Sequence, residues 1–327
     1  MWTLMALVCG ALAAPVSAGS PRPPNRCEGA KLAQESARPR RAVPVLFVHG
    51  FFGAPNDFRR ERDGRPSMLS TVAGIEGAAV YTFDYSEHSS EWVTHQAIGP
   101  RLARSIRCLV RAFDQEVVVV AHSMGGLATR LAQGQVIDER AVANDLAEVI
   151  TIGTPARGVL LLTYTGDSVT AKIIQTLLNG AGELCADPSE ARTHERLCEL
   201  LDAANAPATT AMAPDAGALD ALPPWGGDVT VAPIAADLRL RISAFGVGTT
   251  VSIGDVVATV HSATADASAG QKPAVVRCHI ELSNLADTVD QSPCAHGNEL
   301  ANRRIITAVR KKVRAAVRAV EKERPVA

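Results

Sequence analysis

The chain has 327 residues, 33 Lys plus Arg against 34 Asp plus Glu, and a hydrophobic fraction of 47%. That is ample for one large domain with a sizeable core, or at most two domains. A formal net charge of −1 and only 4% aromatic residues exclude a basic nucleic-acid footprint and a base-stacking platform, so no nucleic-acid partner is expected.

The amino-terminal stretch Met1 to Ala18 reads as a secretory signal. An apolar run from Leu4 to Ala14 is followed by Val16-Ser17-Ala18, a small-x-small cleavage site, although no Lys or Arg precedes the run. It is too short for a membrane span. Cys9 lies in this segment, and the other six of the seven cysteines are Cys27, Cys108, Cys185, Cys198, Cys278 and Cys294. An even number in an exported chain points to disulfides. Proximity along the chain favours Cys185–Cys198 and Cys278–Cys294, which leaves Cys27 for Cys108. No Cys/His cluster has zinc-finger spacing, so no metal is expected.

Residues 19–41, rich in Pro and Arg, read as a mobile arm tied down at Cys27. From residue 42 the chain alternates strands and helices. Val43 to Val48 and Ala78 to Tyr85 are buried strands. Gln96 to Phe113 carries Ile98, Leu102, Ile106, Leu109 and Phe113 at helical spacing. The strand Val117 to Val120 leads into the Ser123 turn and a helix, and a further strand covers Glu148 to Gly153. Such alternation predicts an α/β fold, a mostly parallel central sheet with helices on both faces. Ligands of these sheets bind beyond the carboxyl ends of the strands, where His49, Asp84, Ser123 and Thr154 all fall. Residues 158–226 break the pattern with short apolar pieces separated by Gly, Ala, Pro and Asp, and read as an inserted helical cap stapled by Cys185–Cys198. The sheet resumes at Leu238 to Phe245 and Ala274 to Glu281. A last helix, Leu300 to Glu323, places Ile306, Val309, Val313, Val317 and Val320 on one face and a solvated Arg/Lys face opposite.

The chemistry centres on Val117-Val118-Val119-Val120-Ala121-His122-Ser123-Met124-Gly125-Gly126. Four β-branched residues make a doubly buried strand, and the small residues allow a sharp strand-to-helix turn that pushes the Ser123 hydroxyl above the sheet. Val48-His49-Gly50-Phe51-Phe52-Gly53 follows the first strand of the domain. Its glycines let the Phe51 amide turn to the rim, where it would join the Met124 amide as an oxyanion donor.

Together with Pro44-Val45-Leu46-Phe47-Val48-His49-Gly50, the serine turn resembles the α/β-hydrolases. The nearest resemblance is to the lipase group that includes the small secreted Bacillus lipases, which share Ala as the first small residue. Ile152-Gly153-Thr154-Pro155-Ala156-Arg157-Gly158 is similar to a Gly-Thr-Pro-x-x-Gly segment of bacterial lipases. The resemblance covers Pro44 to Gly158 and thins beyond, because the small lipases lack a cap.

It implies the order Ser, acid, His. Ile253-Gly254-Asp255-Val256-Val257 resembles the Asp-x-x-Val segment of such lipases, which makes Asp255 the preferred acid over Asp266 and Asp287. Asp237 precedes its strand, at the wrong end of the sheet. His296 is the preferred base, in a loop stapled by Cys278–Cys294. His279 reads as a packed sheet residue, His261 comes too early, and His49 and His122 read as packing and hydrogen-bonding residues.

The expectation is a secreted serine ester hydrolase, a triacylglycerol lipase or esterase, working as a monomer without a cofactor and in transient contact with a lipid interface. Its substrates would be lipids or other esters, with acyl chains of some length favoured by an apolar cap. A thioesterase, a polyester hydrolase or an acyltransferase on the same fold, or a non-catalytic binding protein, are the alternatives.

Overall fold

The computed structural model describes residues 27, 30–36, 42–159, 187, 206–214, 216–244, 247–281 and 291–323. The expected signal segment lies outside these, as does most of the expected cap with its Cys185–Cys198 pair.

Val43–Val48 (β2), Ala78–Phe83 (β3) and Val117–His122 (β4) are buried along their whole length. A strand covered on both faces has no polar side, which is why these runs show no alternation. They sit in an eight-stranded sheet with Leu32–Gln34 (β1), Leu146–Ile152 (β7), Ile234–Ala244 (β8), Val247–Ser252 (β9) and Ala274–Glu281 (β10). Its order is β1-β3-β2-β4-β7-β8-β10, with β9 paired to β8. The hairpin Val136–Ile137 (β5) and Arg140–Ala141 (β6) lies apart from it. All pairings from β3 to β10 are parallel, and β1 and β9 are antiparallel additions.

The two faces of β4 explain the layers. Val117, Val119 and Ala121 join the core beneath Gly99–Phe113 (α2) and Met124–Gln133 (α3). Val118 and Val120 join the other core, beneath Met68–Ala73 (α1) and Arg303–Lys322 (α6). On α6 the buried stripe runs through Ile305, Val309, Val313, Val317 and Val320, so Ile305 takes the place expected for Ile306. Among the described residues no helix is long and apolar enough to cross a membrane.

Three expectations need correction. Residues 32–34 of the supposed mobile arm pair with β3 as an edge strand, while the arm is tied as expected by Cys27, which meets Cys108 of α2 with a Cα–Cα distance of 5.5 Å. The Leu238 run is part of a longer strand, β8, which overshoots β7: their pairing is at Ile152 and Ile234, yet β8 continues to Ala244. The antiparallel β9 then brings the chain back, with Ser252 opposite Arg239. Finally, Asp237 lies inside β8 rather than before it, and its carboxylate accepts from Ser252 Oγ and Arg239 Nε.

Residues 219–225 pack on the outside of α3, where Arg130 and Gln133 donate to the Leu222, Pro223 and Pro224 carbonyls. Pro207–Ala211 (α4) donates from the Ala208 amide to the Ser90 carbonyl, and Met212, Leu219 and Leu222 are buried in the α2–α3 core.

One buried charge pair ties α2 to the approach to β7. Arg107 donates to Asp145 Oδ1 at 2.6 Å and to the Arg140 carbonyl at 2.9 Å, and Asp145 is fully buried. Removing only the acid leaves an uncompensated buried guanidinium, so Asp145→Ala should cost about 3–5 kcal/mol in urea unfolding. A loss within the range of a surface substitution would show the pair to be energetically idle.

Candidate active site

Ser123 occupies the turn between β4 and α3 with φ 53° and ψ −130°. A non-glycine residue there is strained by roughly 1–3 kcal/mol and persists only where the surroundings over-determine it. Here they do. A Cβ on Gly125 would collide with the His49 carbonyl oxygen, and one on Gly126 with the Thr154 side chain. The small residues therefore let the Ser123 turn pack directly against the other two rim segments. Thr154 Oγ1 also donates to the Ser123 carbonyl at 3.0 Å.

Ser123, His296 and Asp255 come from distant parts of the chain and meet at this rim. His296 Nε2 is 2.8 Å from Ser123 Oγ, and Nδ1 is 2.8 Å from Asp255 Oδ2. The His296 amide donates to the Asp255 carbonyl at 2.9 Å. Asp255 is buried, and its Oδ1 accepts from the amides of Val257 and Ala258 at 2.8 and 2.6 Å. With the carboxylate as acceptor, Nδ1 carries the proton and Nε2 presents its lone pair to the serine. His296 opens a 3-10 turn, His296–Ala301, and Cys294 just before it meets Cys278 of β10 with a Cα–Cα distance of 5.9 Å. Cys294 is fully buried, which anchors the loop next to the imidazole.

The amides of Phe51 and Met124 have no hydrogen-bond partner among the described residues. Their chain positions, one after β2 and one at the first residue of α3, put both beside the serine turn.

His49 supports this loop. Its ring stacks on Tyr85 with centroids 3.9 Å apart, its Nε2 accepts from the Tyr85 amide at 3.1 Å, and Tyr85 Oη donates to the His49 carbonyl at 2.6 Å. Burial lowers the His49 pKa to about 4. The unfolded chain therefore binds a proton that the folded one refuses between pH 6.5 and 4. Stability from this site is full above pH 6.5 and is lost as the pH falls through that window, by about 3 kcal/mol at roughly 1.4 kcal/mol per unit. Urea unfolding of His49→Gln should show a flatter acid slope than the wild type. Equal slopes would exclude His49 as the source.

The other candidates are elsewhere. Asp266 faces Arg130 at 4.0 Å, Asp287 is outside the described residues, and His261 is exposed on Val260–Thr264 (α5). His279 is exposed on β10, not packed as expected. Asp84 accepts from the Ser86 amide and hydroxyl at the end of β3.

Sequence reasoning passed over Glu299, which is fully buried with Oε2 3.7 Å from His296 Nδ1 and 3.5 Å from His122 Nε2. The only signal was its spacing, three residues after the histidine in a single helical turn. His122, His296 and Glu299 bring their ligand atoms within 4.8 Å of one another, a grouping able to hold a metal ion. Both ring nitrogens of His296 are engaged by Asp255 and Ser123, however, and His122 Nε2 and the Glu299 oxygens stand beside that line without hydrogen-bond partners among the described residues.

A doubly covered, mostly parallel sheet with a serine on a strained strand-to-helix turn defines the α/β-hydrolase architecture. Residues 45–277 match the model of the alpha/beta hydrolase family, and the chain belongs to that family. Among solved structures it is similar to the mature form of the Bacillus licheniformis lipase BlEst2. That likeness is at 15% identity with a TM-score of 0.53, over 87% of this chain and 98% of that one. A thermophilic esterase from Thermogutta terrifontis aligns at 16% identity and a TM-score of 0.45, over 87% of this chain and 93% of the other. No curated protein sequence gave a significant match.

Proposed function

We propose that this protein is an exported serine ester hydrolase, a lipase or carboxylesterase, with Ser123 as nucleophile, His296 as base and Asp255 as its orienting acid. The observation that carries this reading is the unbroken line Ser123 Oγ, His296 Nε2, His296 Nδ1, Asp255 Oδ2, with 2.8 Å at each hydrogen bond. A serine hydroxyl is a weak nucleophile until a base in contact takes its proton.

His296 takes the Ser123 proton as Oγ attacks the acyl carbonyl. Asp255 holds the imidazole in the needed tautomer and stabilises its positive charge. The amides of Phe51 and Met124 receive the oxyanion, each contribution of that kind being worth roughly a hundred- to a thousand-fold in turnover. The ester C–O bond breaks as His296 protonates the departing alcohol. Water, deprotonated by His296, then releases the acid and frees Ser123. All of these groups belong to the chain itself.

Export is supported by the apolar amino-terminal run and by the cysteine pairs Cys27–Cys108 and Cys278–Cys294. Lipid or other carboxylic esters are the proposed substrates, in keeping with the lipase that shares the fold.

A fluorophosphonate probe tests the mechanism directly. The disulfide-intact protein should label at Ser123, and Ser123→Ala should not label. A folded sample that fails to react would overturn the enzyme reading. A chain-length series of nitrophenyl esters tests the substrate class: cleavage of acetyl esters alone would sink the lipase half of it.

A further inference from the structure

Glu299 is a carboxyl placed where a carboxylate is costly. It is fully buried, and neither of its oxygens has a hydrogen-bond partner among the described residues. An unpaired buried charge of this kind is normally relieved by protonation. Asp255 shares the same space. Both carboxyls lie over Gly153, where a Cβ would stand 2.8 Å from Asp255 Oδ2 and collide with Glu299 Oε2.

The two acids are held differently. Asp255 receives two backbone amides at Oδ1 and the His296 imidazole at Oδ2, donors that suit an anion. Glu299 has a single backbone amide, that of Ala236, at its side, and neither of its oxygens makes a hydrogen bond of good geometry among the described residues. Two like charges sharing one dry site repel, and a single proton removes the repulsion. On these contacts the proton belongs to Glu299.

The neighbours offer no substitute for it. His122 faces Glu299 from β4, but burial above all, with the Arg60 guanidinium adding to it, holds its pKa well below the ordinary imidazole value. It cannot supply a compensating positive charge. Arg60 is turned toward Asp57 and the Gly297 carbonyl. Burial, then the Asp255 charge, push the Glu299 pKa well above the usual carboxylate range.

We propose that Glu299 is a positioning residue that stands as a neutral carboxylic acid and directs its proton toward Asp255 Oδ2, so that His296 faces one negative charge and not two. This rests on the reading of Ser123, His296 and Asp255 given above. An ionised Glu299 would be a rival acceptor for the Nδ1 proton, loosening the Asp255 bond that sets the tautomer. A neutral one leaves Asp255 as the single charged partner and fixes its outer oxygen.

Two measurements decide it. Glu299→Gln keeps the shape, the donor and the neutrality. It should stay within about threefold of wild-type kcat, with the acid limb of its kcat/KM–pH profile unmoved. Glu299→Leu, which has no donor, should lose about tenfold in kcat with KM little changed. An acid limb that moves down by about half a pH unit or more in Glu299→Gln would mean that the wild-type group is ionised, and would overturn the proposal. So would wild-type activity in Glu299→Leu.

The second measurement needs no turnover. Infrared spectra of protein carrying carboxyl-13C glutamate should show a protonated-carboxyl stretch at neutral pH. That stretch should survive in Ser123→Ala and in Glu148→Gln, the latter at another glutamate whose pKa burial raises. It should vanish in Glu299→Gln. A wild-type spectrum without the band overturns the proposal whether or not Ser123 proves to be a nucleophile. A band that persists after Ser123 has failed to label would separate the two readings.

Discussion

Ser123→Ala should lower kcat/KM for a nitrophenyl ester by about 10^4- to 10^6-fold, or roughly 5–8 kcal/mol of transition-state stabilisation. The size follows from the geometry. The His296 Nε2 lone pair points at Ser123 Oγ from 2.8 Å, and alanine leaves it with nothing to activate. His296→Ala should cost nearly as much, and the double variant little more than either alone, because a nucleophile and its base act as one unit. The fold should survive in all three variants, since the turn is held by the packing of Gly125 and Gly126 against the neighbouring rim segments. Thermal unfolding close to wild type, together with lost turnover, is the expected pair of results. If Ser123→Ala kept a tenth of wild-type activity, the nucleophile would have to be sought elsewhere.

The serine turn was legible in the sequence because its determinants are local: β-branched residues before it, small residues within it, and apolar helical spacing after it. The parallel sheet was legible for the same reason. Asp255, preferred for its order in the chain and its Asp-x-x-Val context, does lie against His296, but the path that brings it there was not legible. Residues 238–252 read as one strand and a loop, whereas β8 and β9 form a hairpin that passes the rim and returns. Edge strand β1 is three residues long and sits in a Pro- and Arg-rich stretch, too short for a period to show. Glu299 was invisible for a different reason. A glutamate near the start of a helical segment ordinarily faces solvent, and only the fold reveals that this one is enclosed with Asp255 and His122.

The second large effect concerns that acid. Asp255→Asn preserves the shape of the side chain but changes what it offers to the imidazole. Oδ1 accepts two amides, from Val257 and Ala258, so the amide oxygen of an asparagine must stay there and its NH2 must take the place of Oδ2. That NH2 donates to His296 Nδ1 where the carboxylate accepted from it. The ring proton is thereby forced onto Nε2, facing Ser123 Oγ, and the base loses its free lone pair. We expect kcat to fall by about 10^4-fold with KM nearly unchanged, as for other triads held in the wrong tautomer. Fluorophosphonate labelling should slow in proportion. Nitrogen-15 spectra of the histidine ring should show the proton moving from Nδ1 to Nε2. Near-normal turnover in Asp255→Asn would assign the orienting role to another carboxyl, with Glu299, 3.7 Å from the same nitrogen, the first to test.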